Sequence, residues 1–329
     1  MTTHLPPVPC HPPARRLRQR GFTLIEMMIS ISIGLVILAG LMGVLATYSG
    51  NSRTNDRTAE LMTNGRYALN SMKHELHEAG FRGYTWAEPL APAALGALTN
   101  ECLEVGATAG SFLGNLRQGV WGSNDANPFA ANCIPAANYA AGNDVLVVRR
   151  LAVVPATALS ANTLYFHSTY DRGQVFRGTV APTFTGAVPL ASFPLQTTVY
   201  YISPFTVSAT EAPLVPALYR VSLNSSGTMV RELVASGIER MQVQYGQLST
   251  VPDTRYLDSL TGASFSIDAT IRTDWEDVNS VRLWLLARNA TAEPGYVNAN
   301  GYTLGSAPAY TPNDNFRRQL FTTVVQLRN

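Results

Sequence analysis

Hydrophobic and polar positions change rhythm three times along this chain of 329 residues. The first 21 residues hold no apolar run. Pro6, Pro7, Pro9, Pro12 and Pro13 predict an unfolded start, and Arg15, Arg16, Arg18 and Arg20 stand there without an acid. From Phe22 the chain turns apolar, and Met27 to Tyr48 carries no charge. As a helix rising about 1.5 Å per residue this stretch is about 33 Å long, which matches a hydrocarbon core of about 30 Å. Beyond it, Met62, Gly65, Leu69, Met72, Leu76 and Ala79 recur at alternating spacings of three and four, while Arg53, Asp56, Arg57, Glu60, Arg66 and Lys73 fall off that stripe. No proline lies between Ala14 and Glu88. One helix from Phe22 to Ala79, about 87 Å long, is therefore expected, with Gly80 as its C-cap.

After Phe81 the period becomes two. Strand-like runs occupy 144–154, 163–167, 196–203, 217–223, 228–235, 238–245, 279–288 and 319–327, and Asn224-Ser225-Ser226-Gly227 between two of them signals a hairpin. Met241, Val243 and Tyr245 alternate with Gln242 and Gln244, the pattern of a sheet with one buried face. The connections lack crossover helices, so the strands are expected to pair mainly antiparallel. Residues 84–143, rich in Ala, Gly, Asn and Pro, read as a long irregular region. The fold class is thus α+β: a long N-terminal helix, first transmembrane and then amphipathic, packed on a mainly antiparallel β-sheet domain.

Composition agrees with one anchor and one large body. The chain is 46% hydrophobic and only 14% charged, which argues against disorder. Its net charge is +2, but the four leader arginines supply more than that, so the remainder is −2 and gives nucleic-acid binding no support. The basic leader predicts a cytoplasmic N-terminus. An ordinary secretory signal would be cut after the apolar stretch, where Val44 to Tyr48 offers only a poor site. A plain anchor would leave Glu26 unexplained. A carboxylate inside a membrane-length helix costs roughly 2.5 to 3.5 kcal/mol on insertion scales, and such residues face protein rather than lipid. Glu26 therefore predicts assembly.

The string from Gly21 through Phe22, Thr23, Leu24, Ile25 and Glu26 to Leu38 resembles the processing site and first helix of type IV prepilins and type II secretion pseudopilins. That resemblance implies cleavage by a prepilin peptidase between Gly21 and Phe22, N-methylation of Phe22, and pairing of Glu26 with the terminal amine of a neighbouring subunit. Later strings, ELHEAGFRGY at 75–84, GNDVLVVRR at 142–150, LYRVSL at 218–223, ELVASGIERMQVQYG at 232–246, WEDVNSVRLWLLARN at 275–289 and FRRQLFTTVVQLRN at 316–329, are similar to PilW-type minor pilins. The organisation implied is a cleaved cytoplasmic leader at 1–21, a transmembrane half-helix at 22–48, a periplasmic amphipathic half at 49–80 and a β-rich pilin-like domain at 81–329. The role implied is a minor pilin that helps initiate type IV pilus assembly and is incorporated in the fibre or at its tip. Its partners would be the prepilin peptidase, other minor pilins, the major pilin and the inner membrane, with the globular domain in the periplasm. A J-type pseudopilin of a type II secretion system is the alternative.

Removal of the leader would take Cys10 with it and leave Cys102 and Cys133 as an even pair in an oxidising compartment, where a disulfide is expected. There is no CxxC to favour a metal or redox site. The remaining chemistry-bearing residues read as bland. His74, Glu75, His77 and Glu78 imitate a zincin helix, but the second histidine is not four residues after the first, and a solvated helix face is expected. Asp253, Asp258 and Asp268 carry ligands suited to calcium without the spacing of an EF-hand. His167 has no evident triad company, and no GxSxG, P-loop or GxGxxG occurs. No catalytic residue, no cofactor and no metal is expected. Trp284, Tyr245, Phe321 and Trp275 read as core, Trp86 and Trp121 as surface or partner contacts, and Arg317 and Arg318 as a solvated pair.

Overall fold

The computed structural model describes residues 21–185, 188–248, 254–265 and 274–327. The chain divides between Asn55 and Asp56 into two compact units. A single helix, α1 (Leu24–His77), of 54 residues supplies the described part of the first unit and the start of the second.

In the first unit α1 keeps its apolar side chains outward. Phe22, Leu24, Ile25, Val36 and Val44 are all exposed, as are the other large apolar residues up to Tyr48. In the second unit the stripe is buried as its period dictates: Leu61, Gly65, Ala68, Met72, Leu76 and Ala79 are covered, with Met62 and Leu69 half-buried at its margin. The buried line therefore runs through Leu61 and Ala68 as well as through the positions the spacing singles out. Gly80 leaves the helix at φ 80°, a conformation glycine adopts without a Cβ penalty, and its N–H donates to the carbonyl of Arg149 at 2.9 Å.

Two antiparallel sheets build the rest. The larger contains β1 (Val120–Ser123), β2 (Val145–Leu151), β3 (Leu164–Ser168), β4 (Gly173–Arg177), β5 (Ala191–Ser203), β6 (Ala217–Leu223) and β7 (Met229–Ser236). Its centre is β5, whose 13 residues pair with β3, β2 and β6 along their length. The smaller sheet runs in the order β11 (Arg318–Gln326), β10 (Val278–Arg288), β8 (Ile238–Leu248) and β9 (Thr254–Leu257). The β6–β7 hairpin turns at Asn224, whose side-chain oxygen accepts the N–H groups of Ser226 and Thr228, with Gly227 at φ 72°.

Four sequence expectations need correction. The region from 84 to 143 contains α2 (Ser111–Gly114) and β1, and it is packed into the core. Trp121 is buried there, tilted against Trp275 at 5.8 Å, because a large aromatic ring gains more under the sheet than in water. Gln242 is buried rather than solvated, because its amide donates to Asp125 at 2.8 Å on the second face of β8. Finally, Arg318 is not solvated. Its side chain is fully covered and forms charge-assisted bonds with Glu239 at 2.6 Å and Asp314 at 2.6 Å, which offset its desolvation. Arg317 stays partly exposed, paired with Glu293 at 2.5 Å.

Strand β2 shows how the alternation assigns neighbours. All but one of its residues are buried, so it is covered on both faces, and successive side chains point to opposite sides. Arg150 reaches α1 and pairs with Glu75 at 3.0 Å and Glu78 at 2.6 Å. Arg149 points the other way, into the region held by the Cys102–Cys133 disulfide, and donates to the carbonyls of Phe112, Gln118 and Ser264.

Gly65 sets the approach of α1 to β11. A Cβ built there would lie 2.1 Å from Cε2 of Phe321. Alanine normally stabilises a helix interior over glycine by roughly 1 kcal/mol, whereas overpacking costs about 1 to 3 kcal/mol. Gly65→Ala is therefore expected to destabilise the folded domain, by about 1 kcal/mol net, in denaturant unfolding of the detergent-solubilised protein. Adding Phe321→Leu should recover part of the loss. A more stable Gly65→Ala single variant would contradict this packing.

Candidate functional site

The first unit carries one charged side chain in its apolar stretch, and its surroundings are local. Thr23 is the N-cap of α1: its hydroxyl oxygen accepts the N–H of Glu26 at 3.3 Å. In return the Glu26 carboxylate accepts the Thr23 N–H at 3.4 Å and the Thr23 hydroxyl at 3.3 Å. This is a capping box, threonine with glutamate three residues on. Thr23 was not singled out in the sequence, although the T-x-x-E spacing signals it. Both contacts fall on Oε2 of Glu26, and among the described residues Oε1 has no partner. The carboxylate thus starts the helix and retains acceptor capacity.

The other polar side chains of this stretch are satisfied internally. Ser30, Ser32 and Thr47 donate to the carbonyls four residues earlier, at 2.7, 2.8 and 3.0 Å. A helix that meets its own hydrogen bonds suits a bilayer. Among the described residues α1 is the one helix long and apolar enough to cross a membrane. Gly21 and Phe22 precede the helix and are exposed. Residues 1–20, with their arginines and Cys10, lie outside the described residues.

The globular unit brings together polar groups that the sequence did not assign. Arg149 is fully buried, which pulls its pKa down, while the charges of Glu104 and Glu101 oppose that fall. Glu101 accepts the N–H groups of Gly110 and Leu113, and Glu104 that of Ser264. Asp144 bridges the two sheets' neighbourhoods by accepting the N–H of Asp125 at 2.9 Å and of Val243 at 2.6 Å. Burial pushes its carboxyl up to about 7 against the pull of those donors, and the charges of Asp125 and Asp258 add to the rise. His167 has a partner after all: its Nδ1 lies 2.8 Å from the Ser192 hydroxyl. The imidazole also stacks on Phe184 and meets Phe176 edge-on, and burial lowers its pKa, so it is a neutral packed ring at pH 7.

His74 and His77 lie on the exposed face of α1. Asp253 and Asp268 fall outside the described residues, and Asp258 accepts hydrogen bonds from Gln244 and Ser306. Among the described residues no group of three or more His, Cys, Asp or Glu side chains converges to hold a metal ion.

Comparison with known proteins starts from the N-terminal geometry. Residues 16–42, the segment that holds Gly21, Phe22 and Glu26, match the prokaryotic N-terminal methylation motif. Residues 199–329 match the family described as Type IV Pilus-assembly protein W. The two matches together support a PilW-type minor pilin. Among solved structures the chain is similar to a type IV-like pilin from Thermus thermophilus, with 13% identity, a TM-score of 0.33, and coverage of 84% of this chain and 96% of that one. No curated protein matches.

The raised carboxyl of Asp144 fixes the sign of one pH effect. An acid whose folded pKa exceeds its unfolded value stabilises the fold below the unfolded pKa, here near 3.8, and that contribution is lost as pH rises through about 7. Asp144→Asn should therefore cost the most stability near pH 4, with the deficit relative to wild type shrinking towards pH 7.5. Denaturant unfolding at the two pH values measures this. A deficit that grows with pH would mean that the carboxylate is preferred in the folded state.

Proposed function

We propose that this chain is a minor pilin that takes part in initiating type IV pilus assembly and is built into the fibre or its tip, as a structural rather than a catalytic protein. The observation that carries the reading is the carboxylate of Glu26, the one charge in the exposed apolar stretch of α1, a few residues after the Gly21-Phe22 step. Cleavage between Gly21 and Phe22 by a prepilin peptidase frees a terminal amine, which is largely cationic at neutral pH. N-methylation of Phe22 leaves it basic. Each subunit then carries one cation and one anion at the same end of its helix, and pairing in a low-dielectric setting offsets part of the desolvation of both. Such a contact is head-to-tail. Its repetition extends a filament instead of closing a dimer.

In this reading the chain is held in the inner membrane by α1 with its globular domain in the periplasm. Residues 1–21 are the removed leader, 22–48 the transmembrane half of the helix, 49–80 its periplasmic half and 81–329 the domain. That domain selects among other minor pilins and the major pilin. The cystine between Cys102 and Cys133 suits an oxidising compartment.

The capping box allows the two roles of Glu26 to be separated. Glu26→Gln keeps an acceptor for the cap but removes the charge, whereas Glu26→Ala removes both. Both variants are expected to insert and to be processed, and both should lose co-purifying pilins by several-fold from detergent extracts. Wild-type recovery of partners with Glu26→Gln would show that capping, not charge pairing, is what the residue supplies.

Processing has its own test. An added Cβ at Gly21 meets nothing within 4 Å, so a larger residue there does not strain the fold. Gly21→Val should leave the leader attached, seen as the unprocessed mass of the protein recovered from membranes. A mature mass from that variant would exclude cleavage after Gly21.

A further inference from the structure

Among the described tryptophans, Trp86 is the one left in water. Trp121 and Trp275 are buried, but Trp86 is 82% exposed. Its segment is nonetheless fixed to the turn that follows β3. The Trp86 N–H and the Thr85 hydroxyl both donate to the carbonyl of Tyr170 at 3.4 Å, the Ala87 N–H donates to the Thr85 hydroxyl at 3.1 Å, and the Tyr84 N–H donates to the Ser168 hydroxyl at 2.9 Å. Tyr84 and Tyr170 are themselves 39% and 54% exposed. Beside them opens a cleft of about 410 Å³, lined by Phe81, Arg82, Thr85, Trp86 and Glu276, within the size range of small-molecule sites.

The charges around this cleft are already matched. Glu88 lies 3.5 Å from Arg82 and 3.4 Å from Arg117, Glu276 lies 3.0 Å from Arg117, and Arg172 pairs with Asp171 at 2.8 Å. Among the described residues no excess of either sign remains there to attract an ion, and a polyanion such as nucleic acid would need surplus cations. What the cleft offers is a flat aromatic face beside alternating donors and acceptors. That is the chemistry of a pyranose ring, whose C–H face stacks on an indole while its hydroxyls bridge carboxylates and guanidinium groups. A folded protein partner is less well matched, because a stable interface buries about 1,200 to 2,000 Å² over a broad surface, and this feature is concave and of ligand size.

We propose that the Trp86 cleft binds a neutral saccharide. The proposal stands apart from the filament role and does not depend on Glu26. It is tested with the full-length protein in a detergent that has no sugar headgroup, titrated with lactose, maltose, cellobiose and diacetylchitobiose while intrinsic fluorescence and saturation-transfer NMR are followed. At least one of these probes is expected to give a saturable signal, weakened about tenfold or more by Trp86→Ala, the scale of losing a central aromatic contact. Tyr67→Ala, which removes an exposed ring from α1, should leave it unchanged. Because Trp86 is solvent-exposed, its truncation leaves the core intact, and an unaltered melting temperature confirms that. Absence of a saturable signal across all four sugars, or binding unaffected by Trp86→Ala, overturns the proposal. Loss of a co-purifying pilin by Trp86→Ala without sugar binding would reassign the cleft to a protein contact.

Discussion

The burial of the Arg149 guanidinium is the constraint around which the globular unit is arranged. A cation with no water around it needs acceptors for its donors, and three backbone carbonyls from separate segments each take one N–H, from Nε, Nη1 and Nη2. Those segments, around Phe112, Gln118 and Ser264, have little regular structure of their own. Their carbonyls are held in place partly because the guanidinium requires them. One residue further along the same strand, Arg150 applies the same logic to the opposite face, where it joins α1 through Glu75 and Glu78. Two adjacent arginines on a pleated strand thus tie a helix to one side of a sheet and a disulfide-held cap to the other.

The first unit follows a different rule. In the described apolar stretch the hydroxyls of Ser30, Ser32 and Thr47 are satisfied within the helix, which leaves the Glu26 carboxylate as the one charged side chain there. The same side chain closes the capping box with Thr23. A helix start of this kind suits the proposed assembly role better than an isolated acid would, because the carboxylate is held at the start of the helix by its own cap while, among the described residues, one oxygen has no partner.

Much of this architecture was legible in the sequence because it rests on strong periodicity. The long helix, its exit at Gly80, the hairpin at Asn224 and the eight principal strands each carry a pattern that local physics imposes. The short strands β1, β4 and β9 did not, since four or five residues contain too few alternations to register. Polar burial was also hidden. Arg318 reads as solvated beside Arg317, and only the approach of Glu239 from β8 explains why it is inside. Trp121 misled for a related reason: it lies in a segment with the composition of a loop, and its burial depends on Trp275, far along the chain. At the N-terminus the spacing of Gly21, Phe22 and Glu26 was readable, while the participation of Thr23 needed the helix start to be seen.

The contact between Gly65 and Phe321 joins an early helix to the last strand. Since β11 lies at the margin of its sheet, beside β10, the helical ledge at Gly65 is covered by a strand far along the chain, and its burial is a long-range contact. Loss of the Phe321 ring would leave that groove beside Gly65 open to water, so a single aromatic side chain decides whether helix and sheet close on each other.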